Sequence, residues 1–116
     1  MAIAQELVLQ QDSIWNDGVA KSRSTLRERW LALTQHTLPG MAAAQHWPIR
    51  LNHCFMRVCL DDAIGSRWDT VVRRPAVRHL TDAQLARAVA TAEQIVENPE
   101  LLYALNTSSL RMRGKL

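Results

Sequence analysis

Glycine is scarce in this chain and never clustered: four residues, each standing alone near an expected helix end. That excludes a glycine-rich phosphate loop, and the parallel strands that nucleotide folds require are missing too. Strand signals of any kind are few. "DTVVRR", residues 69–74, is the one β-branched cluster, and it is short. No run approaches the roughly 18 apolar residues of a membrane span. The opening "MAIAQELVLQQD" has neither the basic start nor the apolar centre of a secretory signal. The expectation is an intact cytoplasmic protein without membrane contact. Cysteine is limited to Cys54 and Cys59, which fits a reducing compartment. Aromatic residues are rare, yet four of the six are tryptophan: Trp15, Trp30, Trp47 and Trp68. Tryptophan anchors cores or interfaces.

What is abundant is ordinary apolar material. Of the 116 residues, 47% are hydrophobic and 22% charged, enough for one domain with one core and against disorder. The net charge of +3 is mild, but the positive charge is grouped. Residues 21–29 carry Lys21, Arg23, Arg27 and Arg29 against Glu28. Residues 67–79 carry Arg67, Arg73, Arg74 and Arg78 against Asp69, and the C-terminal end adds Arg111, Arg113 and Lys115. Two readings stand: three solvated faces, or a composite site for an anion.

Helical periodicity dominates. A first helical region spans residues 3–37. Unbroken, it would be roughly 50 Å long, against about 35 Å for a compact domain of this size. It must protrude or break, and "NDG" at residues 16–18 is the expected break. "LPG" at residues 38–40 is read as the stop of that helix, and "MAAAQHWP" as a short turn and connection. Pro48 suits the first turn of a central helix reaching about Ile64, with Gly65 as its cap. "SRWDTVV" reads as a short helix or an extended piece, and "RRPAVRH" as a loop. Two further helices are marked by Thr81 as an N-cap before a Leu85, Ala88/Val89, Ala92, Ile95/Val96 stripe, and by Asn98 and Pro99 opening a helix that Gly114 closes. The expected fold is an all-α compact bundle of about five helices over residues 1–116. Its N-terminal helix is long or kinked, and its central helix, near residues 48–64, is mostly apolar.

That central helix carries "RLNHCFMRVCLDD", the most unusual stretch in the chain. Around a helix, apolar side chains occupy most of the circumference and leave one polar stripe: Arg50, His53, Arg57 and Asp61. Such a helix belongs in the middle of a bundle. Its stripe then either faces water, with Arg57 and Asp61 pairing at a separation of four, or lines a pocket. Arginine provides paired planar donors for carboxylate or phosphate. The leading expectation is therefore a binding protein for an anionic ligand or nucleic acid. Arg50, His53, Arg57 and Asp61 form its centre, with Arg73, Arg74 and Arg78 as outer contacts. Sequence-specific DNA readout is disfavoured, because no helix presents basic residues at the end that meets bases.

Two other classes compete. One is a small enzyme with His53 as acid or base and Cys54 as nucleophile or metal ligand. Neighbours on a helix point about 100° apart, which makes His53 and Cys54 a poor pair. No paired-cysteine or helix-spaced two-histidine metal pattern is present, and no cofactor is indicated. The other is a homodimer through residues 14–33, anchored by Trp15 and Trp30.

Overall fold

The computed structural model describes residues 15–116, with side chains from residue 23 onward. All of the regular structure among the described residues is helical. We number the α-helices in chain order: α1 (Trp15–Ala32), α2 (Leu38–Gln45), α3 (Asn52–Ile64), α4 (Ala76–His79), α5 (Asp82–Glu97) and α6 (Leu101–Met112). A π-helical turn (Leu33–Thr37) joins α1 to α2, and a 3₁₀ turn (Trp68–Thr70) follows α3. Five helices of two turns or more, plus the single turn of α4, make the expected all-α bundle.

The long first helix departs from expectation in two places. It does not break at residues 16–18, which lie inside α1. One interior glycine costs only about 1 kcal/mol, too little to end a helix. Nor does "LPG" stop it. The N–H of Leu38 reaches back five residues to the Leu33 carbonyl, and Pro39 follows in the first turn of α2. A proline ring collides with the carbonyl four residues earlier and offers no donor. The wider π turn relieves that crowding, so the helix continues past the proline. Thr34, buried in the same turn, donates its hydroxyl to the Trp30 carbonyl at 2.8 Å, which also loosens the regular ladder. Residues 15–45 thus form one helical run of about 46 Å, and the molecule is elongated, 57 × 32 × 19 Å. The expected helix over residues 3–14 lies outside the described residues.

The run ends at His46, which is left-handed (φ 57°, ψ 37°). His46 N–H bonds the Ala43 carbonyl and Trp47 N–H the Ala42 carbonyl, the paired closure usually made by glycine. Trp47 is thereby driven into the core, 2% exposed, with its ring 5.6 Å from that of Phe55 and its Nε1–H on the Pro99 carbonyl at 3.1 Å. The Tyr103 hydroxyl hydrogen-bonds the Gln45 and His46 carbonyls. Residues 47–51 are consumed by this crossing. The central helix therefore starts at Asn52 rather than at Pro48, and Arg50 lies before it.

α3 packs against α5, α6 and the π turn, with Phe55, Val58, Cys59 and Leu60 fully inside. Gly65 ends it at φ 83°. α5 matches its expected stripe, with Leu85, Ala88, Val89, Ala92 and Ile95 buried. Thr81 and Gln84 form a reciprocal cap: Gln84 N–H to Thr81 Oγ1 at 3.1 Å, and Thr81 N–H to Gln84 Oε1 at 2.8 Å. Asn98 and Pro99 precede α6 rather than opening it, and "RRPAVRH" contains α4 instead of being loop throughout. Trp30, Trp47 and Trp68 all belong to the core. Trp30, one expected anchor of a homodimer through residues 14–33, is 2% exposed, and the side chain of the other, Trp15, lies outside the described residues. No helix among the described residues is long and apolar enough to cross a membrane.

Candidate functional site

The polar stripe of α3 divides into three fates. His53 is exposed at the helix start. Arg57, one turn on, is half-buried. Asp61, another turn on, is completely buried. The expected pairing of Arg57 with Asp61 is not made. Arg113, in the turn after α6, takes Asp61 instead, with Nε 2.7 Å from Oδ2 and Nη2 3.0 Å from Oδ1. Ser109 donates its hydroxyl to Oδ2 at 2.6 Å, and the Trp68 backbone N–H reaches Oδ1 at 2.9 Å. Four donors therefore satisfy one buried carboxylate, which ties α3 to α6 and to the 3₁₀ turn. Hydrogen bonding to Asp61 pushes the Arg113 guanidinium above its ordinary pKa, with Asp69 adding to the effect.

Arg57 is left to neutral partners. Nη1 donates to Ser109 Oγ at 2.6 Å and Nη2 to Asn106 Oδ1 at 2.8 Å. Ser109 stands between the two halves, accepting from Arg57 and donating to Asp61. No carboxylate lies within ion-pair distance of Arg57 among the described residues.

Beside Arg57 opens a cleft of about 550 Å³, within the range of small-molecule sites. Trp30 and Leu31 of α1 form one wall, and Met56 and Leu60 of α3 another. Trp68 and residues 75–77 close the third side. The polar residues at its edge are His53, Arg57, Arg74 and Arg113. Arg74 lies across the Trp68 ring, 5.0 Å from its centroid, and its Nη2 meets Asp69 Oδ2 at 2.8 Å. Asp69 also accepts from Arg67 Nε at 2.9 Å. Those two arginines, Arg67 first, hold the Asp69 carboxyl down at about 2. Arg113 thus meets a carboxylate of its own, Arg74 shares Asp69 with Arg67, and Arg57 meets none among the described residues.

The structure brings His53, Arg57 and Arg74 to one cleft, with Asp61 behind its wall. Arg50 and Arg73 are exposed and do not line it. Arg78 lines a different depression, with Arg23 and Arg27. Cys54 is half-buried and outside the lining, and Cys59 is enclosed, its thiol pushed up by burial and by nearby Asp62. Among the described residues no three His, Cys, Asp or Glu side chains gather as a metal-binding group. Sequence reasoning missed Trp30 and Trp68 as cleft walls, and Asn106, Ser109 and Arg113 as the polar support. Ser109 in α6's last turn and Arg113 just beyond the helix, four apart, were a weak signal, readable only with the partner helix in place. Comparison with protein-family models, with curated proteins and with solved structures finds no match to this chain.

Proposed function

We propose that this protein binds a small, mostly apolar carboxylate in the cleft between α1, α3 and α4. The reading rests on Arg57: a half-buried guanidinium at the edge of an apolar cavity, held by two neutral acceptors and no counter-charge among the described residues. Asn106 and Ser109 fix its plane through Nη1 and Nη2. Its Nε–H has no partner in the described hydrogen bonding and is not sealed off from the surface. A carboxylate there would complete an ion pair whose donors are already oriented. The apolar remainder of the ligand would cover Trp30, Met56, Leu60 and Trp68. His53 supplies a second polar contact at the rim.

A nucleic-acid backbone is the weaker partner. Arg23, Arg29 and Arg113 each already hold a carboxylate of the protein, and Arg67 and Arg74 share another. The basic blocks therefore offer less free charge than their composition implies. The enzyme reading draws no support from His53 and Cys54, since only the first borders the cleft.

Tryptophan fluorescence tests the proposal, because two of the four indoles line the cavity. Decanoate and 1-naphthoate should bind and perturb the emission, while decan-1-ol should bind more weakly. Arg57→Gln should weaken the carboxylates by roughly 10–100-fold, the cost of one charged hydrogen bond, and leave the alcohol unchanged. Equal carboxylate affinity in both proteins would remove the basis for the reading.

A further inference from the structure

The single turn α4 has a cavity on each side. Val77 borders the apolar cleft on one side and, on the other, a separate depression of about 410 Å³. Arg23, Ser24 and Arg27 of α1 form one bank of this second depression, and Val77 and Arg78 of α4 the other. Two basic blocks more than fifty residues apart in the chain meet here. Arg23 is anchored, with Nη1 on Asp82 Oδ1 at 2.8 Å and Nη2 on the Val77 carbonyl at 3.0 Å. Arg27 and Arg78 are exposed and have no ion-pair partner among the described residues.

Three guanidiniums around one hollow repel one another. Arg23 and Arg27, four apart on α1, face the same way, and like charges at that spacing destabilise a helix. Asp82 offsets only one of them, which leaves two uncompensated positive charges beside a serine hydroxyl. A concavity lined by one sign of charge concentrates counter-ions. Two planar forks approaching from different elements suit a tetrahedral dianion better than a flat monoanion. We infer that this depression is a binding site for a phosphate group, free or as the monoester of a small molecule. The site is independent of the carboxylate cleft and stands or falls without it. Arg27 and Arg78 make the direct contacts, and Ser24 adds a hydroxyl.

Titration of the full chain with inorganic phosphate, phenyl phosphate and a single-stranded oligonucleotide, by calorimetry at low salt, tests this. Phosphate and phenyl phosphate should bind in the millimolar range or tighter, and tighter binding of phenyl phosphate would identify the ester as the preferred form. Arg27→Gln and Arg78→Gln should each weaken binding about 10-fold, as loss of a charged hydrogen bond does. Arg73→Gln, exposed in the same block but outside the depression, should have no effect. All three are exposed positions, and far-UV circular dichroism verifies that each variant folds. Phosphate that gives no binding, or that Arg73→Gln weakens as much as Arg78→Gln does, overturns the site. So does oligonucleotide binding that responds equally to both substitutions while phosphate is ignored, since it reports only diffuse charge.

Discussion

Arg113 closes edge-on over the carboxylate of Asp61, with Nε to Oδ2 at 2.7 Å and Nη2 to Oδ1 at 3.0 Å, and the carboxylate is fully shielded from solvent. A buried pair contributes less by existing than it costs to break, because removing one partner strands the other charge in a poor dielectric. Asp61→Asn should therefore lower unfolding stability by about 3–5 kcal/mol. It also leaves one oxygen where Ser109, Arg113 and the Trp68 N–H now share two. Urea denaturation measures the stability. A loss below about 1 kcal/mol, the range of an exposed pair, would show that the carboxylate is solvated.

Asp69 makes a pH prediction. Arg67 and Arg74 hold its folded-state carboxyl at about 2, below the ordinary 3.8. A depressed folded value means that the unfolded chain takes up the proton first as pH falls. The stabilisation from Asp69 is therefore complete above about pH 4 and lost as pH drops towards 2. Asp69→Asn should be less stable than the parent at neutral pH by a constant amount. That gap should shrink between pH 4 and 2. Unfolding midpoints across this range decide it, and a gap that does not narrow would mean that the carboxyl is not held by its arginines.

What could be read in advance follows the range of the interaction. The α5 boundary was legible because Thr81 and the apolar stripe both act within one helix. Gly65 was legible for the same reason. His53 and Arg57 were expected on one polar stripe, and helical spacing alone sets the azimuth that brings both to the edge of the cleft. Asp61 obeyed the same spacing and still went inside, because its partners Ser109 and Arg113 arrive from 48 and 52 residues away. Pro39 misled because a helix can pass a proline when the preceding turn widens, and burial of Leu33 and Thr34 is what holds that turn in place. The cleft itself was illegible. Trp30 and Trp68 look like any core tryptophans until three elements surround a gap between them.

Two glycines should respond to alanine with opposite sign. Gly40 lies inside the helical run with nothing within 4 Å of an added methyl group, so Gly40→Ala should stabilise by about 0.5–1 kcal/mol through lower unfolded-chain entropy. Gly65 also has open space, but its φ of 83° penalises any side chain. Gly65→Ala should destabilise by about 1–2 kcal/mol. Thermal unfolding of the two variants discriminates them. A destabilising Gly40→Ala would restore "LPG" as a helix stop.

The two cysteines, five positions apart on α3, should behave as different chemical species. Cys59 is sealed in the core, and burial, together with the neighbouring charge of Asp62, raises its thiol far from ionisation. Thiolate is the reactive form, so Cys59 should be inert to a thiol reagent in the native protein. Cys54 is half-buried and should react. Titration with a chromogenic disulfide should therefore release one equivalent quickly. The second should appear only with denaturant, at a rate that tracks unfolding. Two fast equivalents would mean that the inner face of α3 opens readily, and with it the core that positions Arg57 and the cleft.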